Sequence, residues 1–528
     1  MIKTEITLPL KYNSSTLFES VRAALPLERV EQSSIRLLRR TLVSNGDGHP
    51  YYKATVAISL SPERERALLK IKHRFTECPE YSLKLPSFRA SFRPIVVGFG
   101  PCGIFAALAL AEAGARPIVL ERGLCVEERE KKVNTFHRLG VLDPECNVQF
   151  GEGGAGTYSD GKLKSGAMDK YKLKVLTTLV EAGGAEEILY SSSAHLGTDR
   201  LSSIVKKIRE KIISLGGEII FGARVTDLSL KDGVLTSVTY ERDGERVKVP
   251  TRAAIFATGH SAYDTVKMLK DLGLGMEARG FGIGLRIEHP REYINEIVYR
   301  GDREYIEEAA SYHLVTHLEN GRSVYSFCMC PGGTVVAAAS ETGGIVTNGM
   351  SENARMASNS NAALLVSVTP RDFDNADPLS GFTLQRKIEG MAFSLSGEYR
   401  APCFRLADFL DKSEKTTLAS VLPSYPCGTV SASPDEYLPS YITDSLRLAM
   451  PSLDAWLHGY IYPDAVLTGP ETRTTSPVRI VRDENGVAVG FFGIYPAGEG
   501  AGYSGGIVSS AVDGIRTAER LIACFCEQ

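Results

Sequence analysis

The sequence has no apolar run long enough to cross a bilayer. Its longest, Ile104 to Ala111, breaks at Glu112, far short of the ~20 residues a spanning helix needs. Residues Met1 to Ser15 hold neither a long apolar core nor a small-residue cleavage site, which argues against a signal peptide. Charge of one sign is also missing: 60 Lys and Arg against 63 Asp and Glu leave −3. No global basic field therefore favours nucleic acid or anionic lipid. Ten cysteines among 528 residues are no disulfide framework. There is no internal repeat and no low-complexity tract. Together these absences predict a cytoplasmic protein with reduced thiols and no integral membrane segment. What remains is ordinary for a globular chain, 43% hydrophobic and 23% charged, and its length suits two to four domains.

Residues 1–88 read as a small separate α+β unit. Thr16 to Leu25 has helical spacing, and Tyr51 to Leu60 alternates as a strand with Val56, Ile58 and Leu60 on one face. Asn45-Gly-Asp-Gly48 makes a turn before it, and Ser61-Pro62 starts a second helix. Pro79 to Pro94 reads as a linker. From Ile95 the pattern becomes strand, tight turn, helix, strand: Ile95 to Val97, then Ile104 to Ala113 closed by Gly114, then Pro117 to Glu121. This opens a doubly wound nucleotide-binding fold. A helix from Asp199 to Leu215, strands over 218–221, 225–228, 234–240 and 253–257, and a return through Gly490 to Ile494 into a last helix over 505–524 complete it. The expected division is 1–88, a first nucleotide-binding part over 89–264, an inserted α+β substrate or cap unit over 265–465, and a return over 466–528.

In Gly98-x-Gly100-x-x-Gly103 the first glycine permits the turn out of the strand. The second lets backbone approach a pyrophosphate, and the third lets helix pack on strand. The following helix offers free N–H groups and a positive dipole end to phosphates, next to Pro101 and Cys102. Glu121, 23 residues beyond Gly98, is placed to accept from ribose hydroxyls. This combination predicts a dinucleotide site. No second glycine fingerprint follows a strand, since Gly280-Phe-Gly-Ile-Gly284 has the wrong spacing. A dedicated NADH or NADPH domain is therefore not expected.

Six stretches carry a resemblance. They are Val97-Gly-Phe-Gly-Pro-Cys-Gly-Ile-Phe-Ala-Ala107, Asn147 to Leu163, Ala257-Thr-Gly-His-Ser261, Ser326-Phe-Cys-Met-Cys-Pro-Gly-Gly333, Glu471 to Ile480 and Tyr495 to Gly506. Over residues 90–528 the chain resembles the bacterial FAD-dependent dehydrogenases, a branch of the glutathione reductase-type FAD superfamily. It departs from them at Cys102, where alanine is commoner, and at His137, where tryptophan is usual. The resemblance implies a glutathione reductase-type FAD-binding Rossmann-like α/β fold, with the inserted cap and the N-terminal α+β unit. It implies FAD as cofactor, held by the glycine loop, Glu121-Arg122, Arg129, and Gly153, Gly154, Ala155 and Gly156. Ser159, Lys162, Val225 at the adenine, Thr258-Gly259 and the segment Gly498, Glu499, Gly502, Gly506, Ile507 complete that set. Glu499 stands where aspartate is usual. The segment would lie under the ribityl chain and the flavin pyrimidine, and backbone N–H groups near Gly500 to Gly502, at the last helix, would stabilise charge on the reduced flavin.

Four residues are candidates for chemistry. Lys162 could steady negative charge near the flavin or substrate. His260 could move a proton beside it, although capping the next helix is the plainer expectation. Cys328 and Cys330, two apart on a strand, would share one face. They lack the usual C-x-x-C redox spacing, so a packing or wall role is favoured. Cys524 and Cys526 repeat that spacing at the chain end. Arg473 and Arg479 suit carboxylate or phosphate as well as interdomain pairing. His195 reads as structural, before a helix capped by Thr198 or Asp199. No metal site is expected. The reading is an FAD-dependent oxidoreductase passing hydride through flavin N5, acting on a small molecule, with NADH or NADPH as a transient donor. The rivals are a reductase of unsaturated lipids, a flavoprotein acting on transfer RNA and a non-catalytic redox sensor.

Overall fold

A computed structural model describes residues 1–25, 34–71, 73–163, 166–374 and 376–526, without the Cys526 side chain. It is a mixed α/β structure. At its centre five short strands pair in parallel, in the order Ile494–Pro496, Ala254–Phe256, Ile95–Val97, Ile118–Glu121 and Glu218–Phe221. The three middle strands are buried on both faces, which is why they read as unbroken apolar runs. The helices Pro101–Glu112 and Ile507–Cys526 lie together on one face, joining Phe105, Leu108 and Ala109 to Val508, Ala511 and Ile515. On the other face a three-stranded antiparallel meander runs Arg224–Lys231, Val234–Arg242, Glu245–Pro250.

A seven-stranded sheet carries the rest of the chain. Its order is Val315–His317, Ser323–Cys330, Asn359–Val368, Phe281–Pro290, Val466–Glu471, Ala401–Arg405, Thr429–Ser431. Val466–Glu471 belongs to this sheet, and the chain re-enters the parallel sheet only at Ile494. The N-terminal residues form a four-stranded sheet, Ile35–Val43, Tyr51–Ile58, Ile2–Leu8, Thr76–Glu77, with helices Ser14–Ala24 and Pro62–Leu69. Among the described residues no helix is long and apolar enough to cross a membrane.

Several expectations shift for local reasons. The first glycine-loop helix begins at Pro101 rather than Ile104, because proline's fixed φ suits the first helical position. The strand expected over 490–494 starts at Ile494, since Gly490 and Gly493 turn at φ +85° and +88°. Neither Thr198 nor Asp199 caps its helix: Thr198 donates to the Ser159 and Ser351 carbonyls, and Asp199 accepts from Asn353 N–H. The strand Glu245–Pro250 lies outside the expected strands: it is almost wholly exposed, and its Val247-Lys248-Val249 alternation is short.

Candidate functional site

The glycine loop leaves Val97 with Gly98 at φ +94° and enters the helix at Pro101. Glu121, ending the neighbouring strand, holds this loop by accepting from three backbone N–H groups. They are Phe99 at 2.7 Å, Gly123 at 2.8 Å and Gly151 at 2.9 Å. Phe99 in turn accepts from Gly153 N–H at 2.8 Å. A Cβ built on Gly154 would stand 3.0 Å from Gly100 Cα, so bare backbone meets bare backbone here. Glu121 thus ties three loops together, a role that its sequence position did not predict. Glu121→Gln turns an acceptor into a donor facing donors and leaves buried N–H groups unpaired, at about 1–3 kcal/mol each. The variant is expected to lose about 2 kcal/mol of stability, read by denaturant unfolding, and to bind FAD at least tenfold more weakly.

The loop from Asn147 to Thr157 is shaped from behind by Arg129, which is buried. Its Nε donates to Asn147 O, Nη2 to Val148 O, and Nη1 to Glu152 O and Thr157 Oγ1, all within 2.7–2.9 Å. The guanidinium is consumed by the protein and is absent from the cavity wall. Beyond this loop Asp160, buried, pairs with Arg355, and the Lys162 ammonium donates to the Met329 carbonyl. Lys162 also bridges His195 in backbone pairing, while the His195 ring meets Asn353 O, in keeping with a structural role.

Two helix N-termini face the cavity. Pro101 and Cys102 line it from one, and Gly506, Ile507 and Ser510 from the other, so positive dipole ends converge there. Glu499 lies between, its carboxyl pushed up to about 7 by burial and by nearby Cys328, against a hydrogen bond from Gly506 N–H. Gly502 N–H closes a turn on Glu499 O and Gly500 packs on Gly259, so the cavity meets Gly505 to Ile507 instead. Cys102 is buried and its thiol is pushed up by burial and by Asp513, which suits packing.

Titratable side chains also line or adjoin the cavity. His260 is buried, lowered to about 4 by burial and by Arg473, with Ser261 Oγ 3.0 Å from Nδ1. It does not cap the helix Tyr263–Asp271, whose N-cap is Ala262. Glu471, pushed up to about 7 by burial, pairs with buried Arg286 at 3.3 Å. Arg473 lines the cavity while its Nε and Nη2 hold Glu389 at 2.6 and 2.8 Å, and its Nη1 has no hydrogen-bond partner among the described residues. Arg479 stacks over Tyr503. Among the described residues no cluster of His, Cys, Asp and Glu could hold a metal ion.

One cavity collects most of the residues singled out in the sequence. Gly98, Gly100, Pro101, Cys102, Glu121, Arg122, Gly154, Ala155, Gly156, Ser159, Lys162 and Val225 line it, with Thr258, Gly259, His260, Cys328, Glu499, Gly506 and Ile507. Gly103, Gly153, Gly498 and Gly502 stand behind the lining, as do Arg129 and Cys330. The sequence reading did not pick out Asp160, Asn348, Phe327, Glu471 or Thr474, which also line it. Asp160 and Glu471 lay inside recognised stretches, and their hydrogen-bonding type was the available signal.

A sequence profile described as "FAD-dependent protein, C-terminal domain-like" matches residues 280–474. A protein of Clostridium beijerinckii, described only as uncharacterised, is 42% identical over 98% of both chains. Among solved structures, a flavin-dependent brominase variant aligns at 11% identity and TM-score 0.38, covering 83% of this chain and 81% of its own. The Rhodococcus jostii 3-ketosteroid-Δ4-(5α)-dehydrogenase aligns at 14% and TM-score 0.36, covering 84% and 100%. Likenesses this low carry no argument about chemistry. The weight lies with the full-length relative and the matched profile, by which the chain belongs to the family of FAD-dependent proteins.

Proposed function

We propose that the chain is an FAD-dependent oxidoreductase of the glutathione reductase-type arrangement, acting on a small molecule in the cavity between the parallel and seven-stranded sheets. The observation that carries it is the convergence of segments hundreds of residues apart, at 98–102, 154–162, 223–225, 257–262 and 505–507, on one cavity. The glycine loop and Glu121 take the nucleotide end. Val225 would take the adenine, and the two helix N-termini would take the pyrophosphate and the flavin pyrimidine. Bound there, FAD supplies two-electron hydride chemistry. The protein's part is to orient it and to line the reacting face with Lys162, His260, Cys328, Glu471 and Glu499. With carboxyls near 7, Glu471 and Glu499 are suited to hold or release a proton near neutral pH. Residues 280–474 form the substrate-bearing part in this reading.

The test is the absorption spectrum of the purified protein, then anaerobic mixing with NADH and with NADPH. A flavin spectrum that either nicotinamide bleaches is the expected result. Protein that neither carries FAD nor takes it up overturns the proposal. Bound FAD that no donor reduces favours a passive binder over an enzyme.

A further inference from the structure

We infer that Cys328 and Cys330 are a redox-active dithiol that exchanges two electrons with the FAD, an inference that rests on the flavin reading above. Cys328 lines the cavity with Gly98, Lys162 and Glu499, while Cys330 lies directly behind, fully buried. Their strand is irregular at this point. Phe327 pairs with Ala363 and Cys330 with Asn361, so Cys328 and Met329 together oppose Ala362 in a bulge. Cys328 sits at φ +40°, a conformation that costs a side-chain-bearing residue energy and gathers at functional sites. On a regular strand the two Cα atoms would stand about 6.6 Å apart, near the long limit for a disulfide. The left-handed turn at Cys328 instead brings Cys330 Sγ to the Cys328 residue, where it donates to the Cys328 carbonyl at 3.2 Å.

A fixed cation serves the pair. Arg286 Nη2 donates to Cys328 O at 2.9 Å and to Cys330 Sγ at 3.4 Å. It is held there by Asn361 Oδ1 and by Glu471. The hydrogen bond from Cys330 and the charges of Arg286 and Lys162 hold the Cys328 thiol below its ordinary value, whereas burial pushes Cys330 up. Cys102, Cys403 and Cys427 are all pushed up by burial. The asymmetry suits an attacking thiolate at the cavity and a buried resolving thiol behind it.

The electrons and protons balance without another reagent. The Cys328 thiolate and the Cys330 thiol join through one S–S bond, giving up two electrons and one proton. Oxidised FAD takes both electrons and that proton. Run backwards, reduced FAD opens the bond, and the dithiol is ready for a disulfide or other two-electron acceptor entering the cavity.

Anaerobic reductive titration of the air-oxidised, FAD-loaded protein tests this. Wild type should consume twice the reducing equivalents per flavin that Cys330→Ser or Cys328→Ser consumes. A readout independent of the flavin is alkylation of the wild type followed by peptide mass analysis. The peptide spanning Cys328 and Cys330 should stay unlabelled in oxidised protein and gain both labels after dithiothreitol. FAD that bleaches with one electron pair in wild type, together with full labelling of oxidised protein, overturns the dithiol and leaves the flavin reading standing. Absence of FAD before titration overturns the flavin reading, and this inference with it.

Discussion

A Gly103→Ala variant should purify without FAD. A Cβ at Gly103 would run into the Gly98 carbonyl and come within 3.4 Å of Val96 Cγ1. Neither neighbour can give way. Gly98 N–H is bonded to Leu120 O at 2.8 Å, and Phe99 N–H to Glu121, so the turn is anchored on the adjacent strand. The helix Pro101–Glu112 must therefore lift off the sheet. It takes with it the first-turn N–H groups, which have no partner inside the helix. Overpacking of this kind costs about 1–3 kcal/mol in the fold. The loss at the cofactor should be larger, at least a hundredfold in affinity, or about 3 kcal/mol. The flavin-to-protein absorbance ratio and a calorimetric FAD titration measure it, with circular dichroism confirming the fold. Gly166→Ala is the control: among the described residues no atom lies within 4 Å of a Cβ built on Gly166, and that variant should keep its FAD. A Gly103→Ala protein with wild-type FAD content would sink the assignment of this loop.

How far the sequence led depends on the range of each interaction. The glycine loop was readable because its physics is local: a turn, a helix N-terminus and an acid at the end of the next strand lie within 24 residues. The N-terminal helix and the strand Tyr51–Ile58 were readable from periodicity, which needs only a buried and an exposed face. Periodicity gave little at Glu245–Pro250, whose only alternation, Val247-Lys248-Val249, is brief and falls on an exposed strand. Arg129 was named as a cofactor-side arginine, but its bonds are to backbone carbonyls, and backbone leaves no mark in a sequence. The pairing at Cys328 and Cys330 was visible as spacing and was rightly found unlike C-x-x-C. The bulge at Cys328 and the cation that bridges the Cys328 carbonyl and the Cys330 thiol come from tertiary structure. Arg286 reaches Cys330, Asn361 and Glu471 across separations of 44, 75 and 185 residues, which no single-sequence pattern spans.

That same cluster gives the largest stability effect expected. Arg286 is fully buried and Glu471 nearly so, and Arg286 Nη1 alone donates to both Glu471 carboxylate oxygens, at 3.3 and 3.4 Å. Arg286→Met removes the cation and leaves behind a buried carboxylate, the Asn361 Oδ1 acceptor and the Cys328 carbonyl. Breaking a buried pair from one side costs about 3–5 kcal/mol, and denaturant unfolding should show a loss of that size at pH 8. The pH dependence follows from Glu471. Its folded value is already raised to about 7 by burial, with Arg286 opposing the rise, so removing Arg286 raises it further. A carboxyl raised on folding contributes stability that is fully present below its unfolded value and lost as pH climbs through the folded one. The Arg286→Met variant should therefore be least impaired near pH 5, where Glu471 is protonated in the fold, and most impaired above pH 7. Adding Glu471→Gln removes the charge that cannot be housed. The double variant should recover part of the loss at pH 8 and show a flatter pH profile, and the non-additivity measures the coupling. Equal destabilisation at pH 5 and pH 8 would show that Arg286 acts through its hydrogen bonds to Asn361 and Cys328 and not through the charge of Glu471.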